Sequence, residues 1–328
     1  MRTDLDLTEV GQCPAGNHHG LGQQRTHGGK LGGRLGTHTL ILPYRRHTAP
    51  ARAAMLATVT RYRAFSLVAA VTALTVGGCA AGSVDTGSAG SGSLTSSSVP
   101  RLHVEVLGTS PHDPTSFTQG LEVSGAELLE GTGLLGRSHI SARDLGTGVE
   151  RVRVPLPDDV FGEGLTVAGD TVWQLTWRDH VAFARDRDTL AERARVTYDG
   201  EGWGLCAQAN RLVMSNGSDT LTFRDPVTFQ PVGSVAVTLD GKPVDRLNEL
   251  ECTPDGMVYA NVWQTSDIVR IDPATGRVVA IVDASGLLTA EQEKGVDVLN
   301  GIAAVPGTDR FLITGKLYPF VFDVRFVS

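Results

Sequence analysis

A short phrase returns five times along the back two-thirds of this chain: Phe117-Thr-Gln-Gly-Leu121, Phe161-Gly-Glu-Gly-Leu165, Glu201-Gly-Trp-Gly-Leu205, Leu247-Asn-Glu-Leu-Glu251 and Leu299-Asn-Gly-Ile302. Aligned on Leu121, Leu165, Leu205, Leu250 and Ile302, the copies stand 44, 40, 45 and 52 residues apart. A repeat of this period, each copy followed by short alternating apolar runs, marks a chain built from small sheets that bury their faces only against one another. The variable residues inside the phrase matter as much as its return. Gln119, Glu163, Trp203 and Asn248 hold one slot in four successive copies, so a ring of such units would carry them to one end of a common axis.

Each phrase opens a strand, then a turn and a second strand. Leu250-Glu-Cys-Thr leads through Pro254-Asp-Gly256, a strong turn signal, into Met257-Val-Tyr-Ala-Asn-Val-Trp263. A third strand, Asp267-Ile-Val-Arg-Ile271, breaks at Asp272-Pro-Ala-Thr-Gly276 before Arg277-Val-Val-Ala-Ile-Val282. Four antiparallel strands per unit is the blade plan of an all-β, five-bladed β-propeller. The last unit lacks one strand, and Leu102-His-Val-Glu-Val-Leu107 lies unassigned at the other end. Pairing this N-terminal strand with the last blade closes the ring and removes an open edge. Residues 290–297, read as a short helical or irregular insertion, account for the longest step.

The front of the chain reads differently. Residues 1–54 show no apolar period and are read as a mis-called upstream extension, with Met55 the better start. From Met55, Arg61 and Arg63 precede an apolar run from Ala64 to Val76 and then Gly77-Gly78-Cys79, the three parts of an export signal over 55–78. The run is shorter than the roughly 20 apolar residues that span a bilayer. Val76-Gly-Gly-Cys79 resembles a bacterial lipobox, which makes Cys79 the lipidation candidate; a soluble secreted product is the other reading. Residues 79–100 form a Gly/Ser tether, and 101–328 the folded domain, expected as an exported monomer touching a membrane only through its lipid.

Whole-chain counts are 29 basic and 36 acidic residues; residues 1–78 hold nine and three of them, which leaves a net charge of −13 beyond. This argues against nucleic acid as a partner, because phosphate binding needs a basic footprint. Cys206 and Cys252 follow the aligned leucines by one and two residues. A disulfide between neighbouring inner strands and a pair of buried thiols both fit.

The candidate chemistry lies in the phrases and at the far ends of the strands after them: Gln119, Glu163, Trp177, Trp203, Asn248, Trp263, Asn300 and Lys316. Glu163 sits between Gly162 and Gly164, which let backbone and ligand approach closely. Three of the four tryptophans, Trp177, Trp203 and Trp263, fall near strand ends on one side and suggest a binding cage. No G-x-S-x-G elbow, no Cys–His pair and no zinc-ligand spacing of histidines is present. One carboxylic acid with a lysine, amides and aromatics points to proton transfer on a neutral or amine-bearing substrate.

The phrases, together with Glu130-Gly-Thr-Gly-Leu134, Gln174-Leu-Thr-Trp177, Tyr259-Ala-Asn-Val-Trp263, Ile271-Asp-Pro273 and Thr314-Gly-Lys-Leu317, resemble in order those of the plant and bacterial type glutaminyl-peptide cyclotransferases. That resemblance covers 101–328 and implies a five-bladed propeller that converts an N-terminal glutamine to pyroglutamate with loss of ammonia. It places the family's active-site positions on Phe117, Gln119, Phe161, Glu163, Trp177, Trp203, Asn248, Trp263 and Lys316. The chemistry of amine attack and ammonia loss then assigns Glu163, Lys316 and Asn248 to catalysis and Gln119, Phe117, Phe161, Trp177, Trp203 and Trp263 to substrate binding. Tyr318 stands where the family usually has tryptophan. No cofactor is required on this reading, a structural calcium in the channel is compatible with it, and the partners are peptides or proteins with N-terminal glutamine. The alternative is a non-catalytic extracytoplasmic propeller that binds peptides or a partner protein. A calcium-dependent propeller lactonase is a third reading, without a convincing cluster of channel carboxylates.

Overall fold

The computed structural model describes residues 98–328. The extension 1–54, the export segment 55–78, Cys79 and the tether as far as residue 97 lie outside the described residues. The last three residues of the predicted tether are docked: Ser98 bonds Asp240 through its backbone N–H and its hydroxyl. Val99 packs against a core cluster and the Pro100 carbonyl accepts the Ile281 N–H.

The described chain is all-β. After β1 (Arg101–Pro111), a first sheet runs β2 (Thr118–Ser124), β3 (Glu127–Thr132), β4 (His139–Asp144), β5 (Glu150–Pro155). A second follows with β6 (Gly162–Ala168), β7 (Thr171–Thr176), β8 (Val181–Asp186), β9 (Glu192–Thr197). A third has β10 (Leu205–Gln208), β11 (Arg211–Met214), β12 (Thr220–Arg224), β13 (Pro231–Ala236). The short β14 (Thr238–Leu239) and β15 (Lys242–Pro243) lead to β16 (Leu247–Cys252), β17 (Val258–Val262), β18 (Asp267–Asp272) and β19 (Arg277–Asp283). Then come β20 (Leu299–Ala304), β21 (Arg310–Gly315) and β22 (Phe320–Val327). β1 pairs antiparallel along β22, from His103 opposite Val327 to Pro111 opposite Phe320. The first strand of the chain therefore completes the last group of strands. It also meets β19 in parallel over Arg101–His103, which joins the two groups into one larger sheet. Residues 290–297 form turns rather than a helix.

Alternation explains the strands. In β12, β18 and β21 the apolar residues face a neighbouring sheet. The resulting cores lie between consecutive sheets: Leu129 and Ile140 against Leu165 and Val172, Trp173 and Leu175 against Leu205 and Leu212. Next, Val213 and Leu221 pack against Leu250 and Val258, and Ile268 and Val282 against Ile302 and Ile313. Leu121 and Leu128 meet Ala303 and Val321, so the first sheet also packs on the last.

A second repeat sits at the turn between third and fourth strands. Asp144, Asp186 and Asp225 each accept both the backbone N–H and the hydroxyl of a threonine three residues on, at 2.7–2.9 Å. Asp272 makes the related turn with Ala274 N–H and the Thr275 hydroxyl. A short carboxylate that bonds the backbone just after itself closes such a turn cheaply. The last group has no copy because its third and fourth strands are the two ends of the domain.

Candidate active site

The returning phrase makes the site by a break in pairing. The first and second strands shift register at Thr118/Gly120, Gly162/Leu165, Leu247/Leu250 and Leu299/Ile302. In the third sheet β10 begins only at Leu205, so Trp203 precedes it. A bulge takes the extra residue out of the ladder and re-aims its side chain. Each shift falls on the slot of Gln119, Glu163, Asn248 and Asn300, and for that reason these polar residues leave the strand instead of pairing across it.

The neighbouring slot is as constrained. It holds Gly120, Gly164, Gly204, Glu249 and Gly301. A Cβ at Gly204 would lie 2.1 Å from the Asn248 carbonyl oxygen, and one at Gly164 2.5 Å from that of Trp203. At Gly120, Gly164 and Gly204 backbones approach too closely for any side chain, whereas Gly301 is held to glycine by its φ of 124°. Glu249 is the exception, and it bridges: its carboxylate accepts the N–H of Leu121 at 3.2 Å and of Ile302 at 2.7 Å. Burial pushes the Glu249 carboxyl well above the usual range, while these two bonds pull it down.

At the bulged end of the sheets Phe117, Gln119, Phe161, Glu163, Trp177, Trp203, Asn248, Trp263 and Lys316 line one cavity of about 310 Å³. Every residue assigned from the sequence to catalysis or substrate binding is thus brought together. Glu163 is buried and uses one oxygen: Gln119 Nε2 donates to Oε1 at 3.0 Å, and Oε2 has no partner among the described residues. Asn248 Oδ1 is likewise buried without a partner among the described residues. Asn300, for which the sequence suggested no role, donates to Gln119 Oε1 at 3.2 Å and to the Thr118 carbonyl at 2.9 Å. It therefore fixes which end of the Gln119 amide faces Glu163.

Burial raises the Glu163 carboxyl well above the ordinary glutamate range; Lys316 opposes this and Glu201 adds to it. Burial lowers Lys316, against the pull of Glu163 and Asp297. The Lys316 ammonium lies 4.8 Å from the centre of the Phe117 ring, a cation–π contact. A carboxyl shifted upward and an amine shifted downward, in one cavity, are suited to exchanging protons.

Two residues of the site were missed in the sequence. Glu201 Oε2 accepts the indole N–H of both Trp177, at 2.8 Å, and Trp203, at 3.0 Å. Its other oxygen accepts Arg178 Nε at 2.8 Å, and that guanidinium lies 3.8 Å over the Trp177 ring. Trp203 meets Trp263 edge-on with ring centres 5.6 Å apart. Glu201 is visible inside its phrase, but no local pattern tells that two tryptophans 26 residues apart would end on it. Asp297 also lines the cavity, from an irregular loop that carries no motif.

Cys206 and Cys252 are joined by a disulfide, with Cα atoms 5.4 Å apart, between the first strands of consecutive groups. Among the described residues, no group of three or more His, Cys, Asp or Glu is placed to hold a metal ion.

A buried acid, a buried lysine and two amides in an aromatic cavity form a site whose groups can exchange protons with a bound substrate. Comparison with known proteins narrows this chemistry. A family model described as glutamine cyclotransferase matches residues 71–326. A glutaminyl-peptide cyclotransferase of Arabidopsis thaliana is 37% identical over 227 residues, 68% of this chain and 71% of that protein. The crystal structure of Myxococcus xanthus glutaminyl cyclase superposes with a TM-score of 0.63 at 38% identity, over 70% of this chain and 98% of that one. The chain belongs to the glutamine cyclotransferase family.

Proposed function

We propose that this protein is a five-bladed propeller that cyclises N-terminal glutamine of peptides to pyroglutamate and releases ammonia. The observation that carries the reading is the single cavity that holds Gln119, Glu163, Asn248 and Lys316 within an aromatic wall. Five core clusters, each between consecutive sheets and the last between the final and first, support the five-bladed ring.

The reaction needs a neutral α-amine to attack its own side-chain carbonyl carbon. Free α-amines titrate near 7.7–8.0, so about half is available near pH 8. Closing a five-membered ring in a held geometry replaces a bimolecular encounter. The new C–N bond forms as the carbonyl π pair moves to oxygen, where Lys316 and Asn248 stabilise the charge. The amide nitrogen cannot leave as an anion. Glu163, held protonated by burial, gives it a proton; the C–N bond to it breaks and ammonia departs. The attacking nitrogen returns one proton to the carboxylate, so Glu163 is regenerated. Gln119 binds the substrate amide and Phe117, Phe161, Trp177, Trp203 and Trp263 pack its methylenes. No cofactor enters this scheme.

Export through 55–78, anchoring through Cys79 and action as a monomer outside the cytoplasm complete the proposal, on the sequence pattern alone. Mass spectrometry of the mature N-terminus tests the lipid. A coupled ammonia assay on Gln-Gln, with and without EDTA, tests the chemistry. Turnover unaffected by chelator is expected; peptide binding without ammonia would point to a binding module instead.

A further inference from the structure

Outside the cavity, a buried cluster of ionisable groups lies behind it. His112 places Nδ1 2.7 Å from the Tyr318 carbonyl oxygen and Nε2 2.9 Å from Glu130 Oε1. Both partners are acceptors. A neutral imidazole has one N–H and satisfies only one of them, whereas the imidazolium donates to both. Glu130 is fully buried and accepts two further bonds, from the Thr118 hydroxyl at 2.8 Å and from Arg143 at 2.8 Å. The charged groups that act on His112 are Glu130 from β3 and Arg143 from β4. Burial alone lowers the histidine; the charge and bond of Glu130 and the Tyr318 carbonyl outweigh it and raise the group. Glu130 in turn is held down to about 2, against its burial, by His112, Arg143 and Thr118.

What the cluster touches gives it meaning. Tyr318 belongs to the turn that carries Lys316. That turn is docked on residues 112–116 by His112 N–H to the Pro319 carbonyl at 2.9 Å and Leu317 N–H to the Ser116 carbonyl at 2.7 Å. Leu317 sits at φ 64°, a left-handed conformation that leucine adopts at a cost and that surrounding bonds must hold. On its other side Glu130 grips Thr118, the residue before Gln119. One carboxylate therefore ties the strand of Gln119 to a histidine that clamps the turn of Lys316.

We propose that the His112–Glu130 pair is a positioning device for the active site, which holds the Lys316 turn and the Gln119 strand in one fixed relation as long as His112 carries its second proton. The inference rests on the reading of Lys316 as a group that acts on the substrate. His112 itself does not line the cavity and touches no substrate. Loss of its proton removes one of the two bonds and leaves Glu130 or the Tyr318 carbonyl short of a donor, a costly state when buried. The Lys316 turn is then free to shift, and a displacement of about 1 Å costs on the order of a hundredfold in rate.

The first test needs no variant: carbon and nitrogen NMR of His112 in the full-length protein, followed with pH. Both ring nitrogens protonated at pH 7 is expected, and a neutral tautomer there overturns the proposal. The second is kinetic, with H112Q and H112N, which each restore one donor, H112F, which restores none, and K316A alone and combined with H112F. The expected result for H112F is a fall in kcat of about ten- to a hundredfold with little change in KM, partly recovered in H112Q or H112N. On the K316A background, H112F should cost much less than on the wild type. Equal cost on both backgrounds overturns positioning through Lys316. A fully active K316A instead removes the lysine from the reaction, which is a failure of the functional reading and a separate result. Should H112F not fold, the NMR titration decides.

Discussion

Gln119 and Glu163 stand one repeat apart in the sequence and hydrogen-bond in the cavity, Nε2 to Oε1 at 3.0 Å. Two copies of one structural slot have become a donor and an acid. The bulge that frees each from its strand makes the contact available, and Asn300, the fifth occupant of the slot, orients the amide between them. The slot thus supplies both the buried acid and the amides that support it.

Replacing Glu163 with Gln should lower kcat by about 10²–10⁴-fold, the usual worth of a positioned acid–base group. The same change should stabilise the fold in a pH-dependent way. Burial raises the folded-state carboxyl above its unfolded value. Its contribution is therefore complete below the ordinary glutamate range and lost as pH rises toward the folded value, at about 1.4 kcal/mol per pH unit. Glutamine does not titrate. Thermal melts at pH 4 and pH 8 should show E163Q gaining on the wild type at the higher pH, and equal gaps at both values would refute the buried-acid account.

Glu201 should act on binding through the two indoles. E201A removes the acceptor of Trp177 and Trp203, so KM for Gln-Gln should rise about tenfold, in line with 1.5–3 kcal/mol for a bond to a charged group. E201Q retains one acceptor and should fall between. Because Glu201 also pushes Glu163 upward, either variant should move the Glu163-linked limb of the pH–rate profile to lower pH. A profile that stays in place would separate Glu201 from Glu163.

Gly204 is required by space. A Cβ 2.1 Å from the Asn248 carbonyl oxygen meets backbone that cannot swing away. G204A should destabilise by about 3 kcal/mol, the upper end for overpacking, and displace the strand of Asn248, with activity falling alongside. Denaturant melts check the first effect; wild-type stability would mean that the inner strands yield.

The Cys206–Cys252 disulfide closes a loop across 46 positions of sequence separation. Its removal in C206S/C252S should cost about 3 kcal/mol, mainly through a less restricted unfolded chain. Neither cysteine lines the catalytic cavity, so kcat at 25 °C should stay near the wild-type value. Scanning calorimetry with and without reductant provides the comparison.

Much of the site was legible because the repeat is local. Gly-Glu-Gly around Glu163, the tryptophans at the far ends of second strands, and the orphan strand at residues 102–107 all lie no more than 15 residues from a phrase. Of the Asp-x-x-Thr turns, only Asp272-Pro-Ala-Thr-Gly276 was read from the sequence, as a break between strands, although the other three bond only three residues ahead. Trp173 differs from the other three tryptophans for the same reason: it sits mid-strand, and it is buried in a core between two sheets. Asn300 was visible but mute, because its partners lie more than 180 residues away. Glu201 and Glu130 stood inside recognisable phrases with no role attached, and Asp297 and His112 carried no signal beyond their residue type.

The sequence alone determined the repeating unit, the slot that varies within it, and the pairing of the first strand with the last, since strand period, turn chemistry and repeat length are properties of neighbouring residues. Only the tertiary structure decided what each occupant of the slot does. Burial raises Glu163, one carboxylate aligns two tryptophans, and Glu249 bridges the centre where glycine stands elsewhere. These effects depend on distance and solvent exclusion between residues of different sheets, and no local pattern in a chain encodes either.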